Sequence, residues 1–347
     1  MTGTAIVVGA GVGGLATAIG LRRAGWLVTV LERRTEVERY GTAFALTPAA
    51  QDALEELGVG AAVRRRAVPY RDARIRRPDG RVLARLPLDR VEKKAGKPEL
   101  LLSRPYLIDA LLAGLESFGD VPVKLGEPVA GVADVRAGHD LLVGADGIRS
   151  VVRQDCFGGA AGPVPIGSVA WIGIADFESG LHGETWGRGR FFGLTPVEPG
   201  RTNWYAAVPD GTTAADLPGL FEGWHDPIPR ILGTTDPACW LRYEMRHLYP
   251  ALPSFVHDGR TALVGDAAHA MTPNLGQGAC TAILDAGALT RAVVRHGRTG
   301  LAAALRDYDR ERRRTAQRTA FASRTLHRFV STERTGLRDG LARLLPG

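Results

Sequence analysis

The apolar run Ala5 to Val8 ends in Gly9-Ala10-Gly11-Val12-Gly13-Gly14 and passes directly into Leu15, Ala18, Ile19 and Leu21 at helical spacing. Gly25 stops that helix, Leu27 to Leu31 makes a second apolar strand, and Glu32 stands at its carboxyl end. About thirty residues thus complete a βαβ unit, which commits the chain to an α/β fold around a mainly parallel sheet. The glycines divide the work: Gly9 permits the bend, Gly11 lets the backbone approach a pyrophosphate, and Gly14 allows close helix packing. The helix N-terminus favours the anion, and Glu32 is placed to accept from a ribose hydroxyl. An acid there disfavours a 2′-phosphate, so this turn predicts FAD or NAD rather than NADP.

Further along, Ala49 to Leu57 reads as a helix closed by Gly58, and Ala73 to Arg77 with Arg81 to Leu86 as a hairpin turning at Pro78-Asp79-Gly80. A helix is predicted from Pro105 to about Phe118, then strands at Val121 to Leu125 and Leu141 to Val143. Between Pro163 and Pro209 the pattern changes to aromatic-rich strands: Val169 to Ala175, Arg190 to Thr195 and Asn203 to Val208. Ala262 to Val264 returns to the buried type, Gly278 to Val294 reads as a helix, and Leu301 to about Phe329 as a long arginine-studded one. The predicted organisation is therefore a discontinuous nucleotide-binding domain (1–68, 98–157, 248–300), a substrate domain (69–97, 158–247) and a C-terminal helical segment (301–347).

A net charge of +7 raises the question of nucleic acid, but the basic residues are scattered and only Lys93, Lys94, Lys97 and Lys124 are lysine. Arg64 to Arg66 and Arg310 to Arg314 read as solvated helix faces, so no nucleic-acid partner is expected. Cys156, Cys239 and Cys280 are too dispersed for a disulfide framework, and with no CxxC pair no metal site is expected. The N-terminus reads as a strand without a basic leader, and no apolar run is long enough to span a bilayer. The expectation is a cytoplasmic protein without membrane contact, monomeric or homodimeric.

Two more motifs carry chemistry. In Gly265-Asp266-Ala267-Ala268-His269-Ala270-Met271-Thr272-Pro273-Asn274-Leu275-Gly276-Gln277-Gly278, the strand-end Asp266 can accept from a sugar-like hydroxyl and the glycines open a helix toward an anionic oxygen. A glycine-rich turn with a cap accounts for a few of these residues but not the run. In Leu141-Leu-Val-Gly144-Ala145-Asp146-Gly147-Ile148-Arg149-Ser150, a strand meets an Asp-Gly turn, which alone is unremarkable local structure.

Together and in this order, the three motifs resemble those of the aromatic-hydroxylase family of flavoprotein monooxygenases, the para-hydroxybenzoate and salicylate hydroxylase group. The resemblance runs from Ala5 to about Phe329. It implies a Rossmann-like FAD domain interrupted by an antiparallel substrate sheet and closed by a long C-terminal helix. It implies Gly9, Gly11, Gly13, Gly14, Glu32 and Arg33 at the ADP end, Asp146 serving both FAD and the nicotinamide, and Arg104 near the phosphate or ribityl side. Asp266 would take the ribityl chain, with Pro273, Gly276, Gln277 and Gly278 bordering the isoalloxazine and Gly41 to Leu46 on another side. The implied activity is that of a single-component enzyme using NADH or NADPH and O2 to hydroxylate a small aromatic or polycyclic electron-rich substrate through a flavin C4a-hydroperoxide. An epoxidase acting on an isolated double bond would share this flavin site, and a non-catalytic flavin-binding protein would share its motifs. Two departures stand out: residues 135–141 are short for the hairpin that precedes the Asp-Gly motif, and Leu284 replaces a common acid. His269 reads as a structural hydrogen-bonding residue rather than a base. Arg190, Tyr205 and His225 are the catalytic candidates in the substrate region, where Trp171, Trp186, Phe191, Phe192 and Trp204 supply core and pocket surface.

Overall fold

The computed structural model describes residues 2–37 and 43–343. The fold is α/β, with one mostly parallel sheet, one antiparallel sheet and a long C-terminal helix. The first sheet has six strands in the order Val256–His257, Thr261–Leu263, Leu141–Gly144, Thr4–Val8, Leu27–Glu32, Val123–Leu125. Only the outermost pair is antiparallel. Its central strands are buried on both faces, which is why Ala5 to Val8 and Leu141 to Val143 read as unbroken apolar runs. Helices Val12–Arg23, Arg104–Glu116 and Gly278–His296 supply the covering layers.

The second sheet has seven strands in the order Leu241–Tyr249, Gly162–Ala175, Arg201–Pro209, Phe191–Glu198, Gly183–Trp186, Arg74–Arg76, Val82–Arg85. Alternation along these strands splits the aromatics between two faces. Trp171, Phe192 and Trp204 pack outward with Phe221, Trp224 and the helix Ile228–Thr234. Trp186, Phe191 and Ala207 face inward, where Val330 and Ala342 of the C-terminal helices cover part of the surface. A small antiparallel sheet, Ala43–Leu46, Leu100–Ser103 and Val68–Pro69, lies beside them.

The 30-residue helix Leu301–Val330 runs past both large sheets. Tyr308 Oη donates to Leu263 O (2.7 Å) in the first sheet, and Ser323 Oγ to Thr272 O (2.6 Å) in the Gly-Asp motif. His327 meets Ser168 Oγ at 3.1 Å in the second sheet. Before the Asp-Gly motif, where the sequence is too short for the family's usual hairpin, stands a five-residue helix, Val132–Arg136. Strands Gly183–Trp186 and Leu241–Tyr249 carry weak apolar alternation and were not foreseen, since their pairing partners rather than their own pattern fix them. Among the described residues no helix is long and apolar enough to cross a membrane.

Candidate active site

Adjacent parallel strands Thr4–Val8, Leu141–Gly144 and Thr261–Leu263 all end at the same edge, so the three sequence motifs emerge side by side at their carboxyl ends. That edge is where open α/β sheets bind ligands. Gly9 adopts φ +107°, and a Cβ there would lie 2.3 Å from Ala145 O. A Cβ on Gly14 would lie 1.9 Å from Gly9 O, so the helix can seat on the turn only without one. Gly13 sits close to Ala282 of the helix Gly278–His296, with 3.3 Å between a built Cβ and the Ala282 side chain. Gly11 differs: a Cβ would meet nothing within 4 Å, leaving its backbone open to whatever approaches the helix N-terminus. Glu32 reaches across the turn, accepting from Ala10 N at 2.9 Å and Arg34 N at 3.0 Å, while Arg33 is exposed.

The Asp-Gly motif behaves differently. Asp146 spends both oxygens on its own chain, accepting from Ser150 Oγ (2.5 Å), Val151 N (2.7 Å) and Val152 N (3.2 Å), which caps the helix Val151–Phe157. Buried Arg153 on that helix donates to Ile148 O (2.7 Å) and to Ala267 O (3.0 Å), stapling the second motif to the third. In the third motif Asp266 is exposed at the carboxyl end of its strand, with protein packed closely around it. That crowding raises its carboxyl pKa, against the opposing charges of His269, Arg104 and Arg153. Arg104 Nε and both amide atoms of Asn274 are buried without a hydrogen-bond partner. Gly276 lies 3.9 Å (built Cβ) from Ala45, so the strand Ala43–Leu46 faces the Pro273–Gly278 segment. Gly41 and Thr42 lie outside the described residues.

His269 and Asp285 form a buried pair at 2.5 Å, and Asp285 also accepts from Arg312 Nε (2.8 Å) and Gly265 N (3.0 Å). His269 thus has a structural partner on the neighbouring helix. The acid that fixes the motif is Asp285, one residue after the Leu284 departure.

On the second sheet the three catalytic candidates do not converge. Tyr205 is on the inner face of the second sheet, donating to Glu184 Oε1 at 2.9 Å. Arg190 is on the outer face over the rings of Phe221 and Trp224 (6.0 and 5.7 Å), and His225 meets Thr185 there at 2.8 Å. Tyr243, which no motif flagged, lies on the inner face in register with Ala170. Although 42% exposed, it is surrounded closely enough that its pKa rises to about 12, with Asp266, Arg104 and Arg149 acting on it, and its strand joins the Gly-Asp motif through the hydrogen bond from Leu248 N to Ala270 O (2.9 Å).

The family model described as "FAD binding domain" matches residues 2–323. The aurachin C monooxygenase/isomerase of Stigmatella aurantiaca is 34% identical over 313 residues, 83% of this chain and 80% of its own length. The FAD-dependent urate hydroxylase of Klebsiella pneumoniae is 32% identical over 335 residues, 89% of this chain and 85% of its length. The chain belongs to the FAD-dependent monooxygenases of aromatic-hydroxylase type. Klebsiella pneumoniae HpxO, in its crystal structure with FAD and uric acid, superposes on this monooxygenase with a TM-score of 0.87 at 27% identity, over 98% of this chain and 92% of that one.

The donor set of the monooxygenase fits FAD. An open glycine turn faces a helix N-terminus, an acid stands at the ribose end, Arg104 Nε and Asn274 lack partners, and Asp266 is exposed at the carboxyl end of its strand. Arg153, Asp285 and Arg312 brace the motifs, and Tyr243 and Glu184 lie on the inner face of the second sheet; none of them carries a motif of its own. The one available signal was Asp285, an acid on the otherwise apolar face of its helix.

Proposed function

We propose that this chain uses NADH or NADPH and O2 to hydroxylate a small aromatic or similarly electron-rich ring held on the inner face of the second sheet. Tyr243 carries the reading, since it sits on that face, the charges of Asp266 and Arg104 act on it, and its strand is hydrogen-bonded to the Gly-Asp motif through Leu248 N and Ala270 O (2.9 Å). We assign the site's nucleotide side to residues 1–68, 98–157 and 248–300, and its substrate side to 69–97 and 158–247. FAD, when bound, takes up reducing equivalents from the nicotinamide and activates O2.

The chain's own residues bind, orient and exclude water. Glu32 would hold the adenosine ribose, Gly9 to Gly14 the pyrophosphate, Arg104 the phosphate or ribityl side, and Asp266 the ribityl hydroxyls, with Pro273, Gly276, Gln277 and Gly278 along the ring. Asp146 supports the site as a cap that aligns Arg153 with the Gly-Asp motif. Of the catalytic candidates Tyr205 is carried forward as a substrate contact, because it alone shares the inner face with Tyr243. The enzyme is assigned to the cytoplasm, as a monomer or homodimer.

The test is a panel of phenols, anthranilates and polycyclic aromatics with the FAD-loaded enzyme, following NAD(P)H oxidation, O2 uptake and peroxide together. At least one compound should stimulate oxidation and yield a product heavier by one oxygen. Oxidation that no compound stimulates, with all electrons recovered as peroxide, refutes the proposal; oxygen found on an isolated double bond makes the enzyme an epoxidase.

A further inference from the structure

We propose that the inner-face recess selects its substrate by charge, admitting a neutral or cationic ring that carries N–H or O–H donors and rejecting a carboxylate-bearing ring, with Glu184 as the specificity-determining residue. The inference rests on the reading that this recess holds the substrate. Glu184, Gly193 and Tyr205 stand directly opposite one another on three adjacent strands. A Cβ on Gly193 would lie 1.9 Å from Tyr205 Cζ, so the tyrosine ring lies across the glycine, and its hydroxyl reaches Glu184 Oε1. Trp186 Nε1 donates to the other oxygen, Oε2, at 2.6 Å. Both oxygens of the acid are therefore held by neutral donors, which oppose the rise in pKa that burial imposes on it, and among the described residues no lysine or arginine forms an ion pair with it.

The commitment of these hydrogens decides what the recess offers. Tyr205 gives its proton to Glu184, so its oxygen presents lone pairs to a ligand. Two residues along the same face, Asn203 is 1% exposed and donates from Nδ2 to Thr195 Oγ1 (2.8 Å), while its Oδ1 has no partner. An unpartnered amide atom at that depth is the exception in folded proteins and points to a ligand's polar group. The field on neighbouring Tyr70 comes from Glu184 and Glu99, both acids. Buried Arg338 lies over the Trp186 ring (5.8 Å), but its donors are spent on Asp339 and on the Trp186 and Gly187 carbonyls. Arg190 is on the outer face, and Arg104 and Arg149 act on Tyr243, with three strands between it and Glu184. A carboxylate entering beside Glu184 would lose its water and face the acceptor oxygens of Glu184, Tyr205 and Asn203, whereas a hydroxyl, amine or ring N–H would find them matched.

The experiment measures equilibrium dissociation constants on the FAD-loaded enzyme by flavin absorbance perturbation and calorimetry, for two matched pairs. These are 2-naphthol with 3-hydroxy-2-naphthoate, and 4-hydroxyquinoline with 4-hydroxyquinoline-2-carboxylate. The ring without the carboxylate should bind tighter by about tenfold or more in each pair. Glu184→Gln should bring that ratio toward one, Glu184→Asp should preserve it, and Tyr205→Phe should weaken all donors alike. The inference is overturned if the carboxylated partner binds as well or better, if no member binds, or if Glu184→Gln retains flavin and leaves the ratio unchanged. Should Glu184→Gln not fold, the wild-type ratio decides alone. Turnover is scored separately: an enzyme that hydroxylates carboxylated rings keeps its activity and loses this rule, whereas one that shows the preference but never consumes O2 with NAD(P)H loses the activity and keeps it.

Discussion

Asp285 has no solvent exposure and accepts from His269, Arg312 and Gly265 N, so it holds a buried cation and a motif turn at once. Replacing it by asparagine keeps the volume and an oxygen for Gly265 N but removes the charge facing Arg312. Removing one partner of a buried pair costs roughly 3–5 kcal/mol. The lower end, about 3 kcal/mol, applies here because Arg312 keeps a contact to Thr281 O at 3.4 Å. The folding constant should fall by roughly a hundredfold. Urea unfolding at pH 7, followed by far-UV circular dichroism, reads this as a lower midpoint. The double variant Asp285→Asn/Arg312→Met should lose clearly less than the two singles summed, since no unmatched charge remains. The pH dependence has a definite sign. Burial alone would raise the Asp285 pKa, but His269, Arg312 and the Gly265 N–H outweigh it and the value is lowered. Its stabilisation is thus fully present above the ordinary carboxyl value of 3.8 and lost as pH falls through the folded value, so the variant should show a shallower loss of stability in acid. A single-variant cost below about 1 kcal/mol, or strict additivity in the double, would refute the reasoning.

Gly11→Ala should leave the apoprotein's melting temperature nearly unchanged but weaken FAD binding, whereas Gly14→Ala, 1.9 Å from Gly9 O, should destabilise even the apoprotein; thermal melts with and without FAD separate them. Asp140, with its pKa pushed down to about 2 by hydrogen bonds from Arg298 and Thr4, stabilises the fold above its unfolded value and ceases to as pH falls toward 2. Asp140→Asn should therefore cost stability at pH 6 and little at pH 2, and an equal loss at both would exclude the linkage. Gly193→Ala should drive the Tyr205 ring from Glu184, raising peroxide at the expense of product while flavin stays bound; unchanged coupling would remove Tyr205 from the substrate contacts.

The first sheet was legible because its strands are buried on both faces and its motifs need fixed spacing: the βαβ unit appears as Thr4–Val8, Val12–Arg23 and Leu27–Glu32, within a residue or two of expectation. Long periodic helices were equally plain, Gly278–His296 and Leu301–Val330 among them. The faces of the second sheet were not, since alternation shows that Arg190, Tyr205 and His225 lie in one region but not which side faces the site. That depends on pairing register, as between Gly193 and Tyr205, which long-range contacts decide. Glu184, Arg153 and Asp285 went unread for a related reason, their roles being defined by partners far along the chain or across an element boundary.

The helix Leu301–Val330 acts as a splint between the two halves of the site. Over some 45 Å of length it grips Leu263 and Thr272 on one side and Ser168 on the other. The next helix extends the grip, with Arg338 donating to Trp186 O (3.1 Å) and Gly187 O (2.5 Å) at the end of the Gly183–Trp186 strand. A frame braced in this way resists rotation of one sheet against the other. Passage of a substrate into the recess therefore falls to local movement of loops and side chains, and heating should dissolve both halves in a single transition rather than shedding the second sheet first.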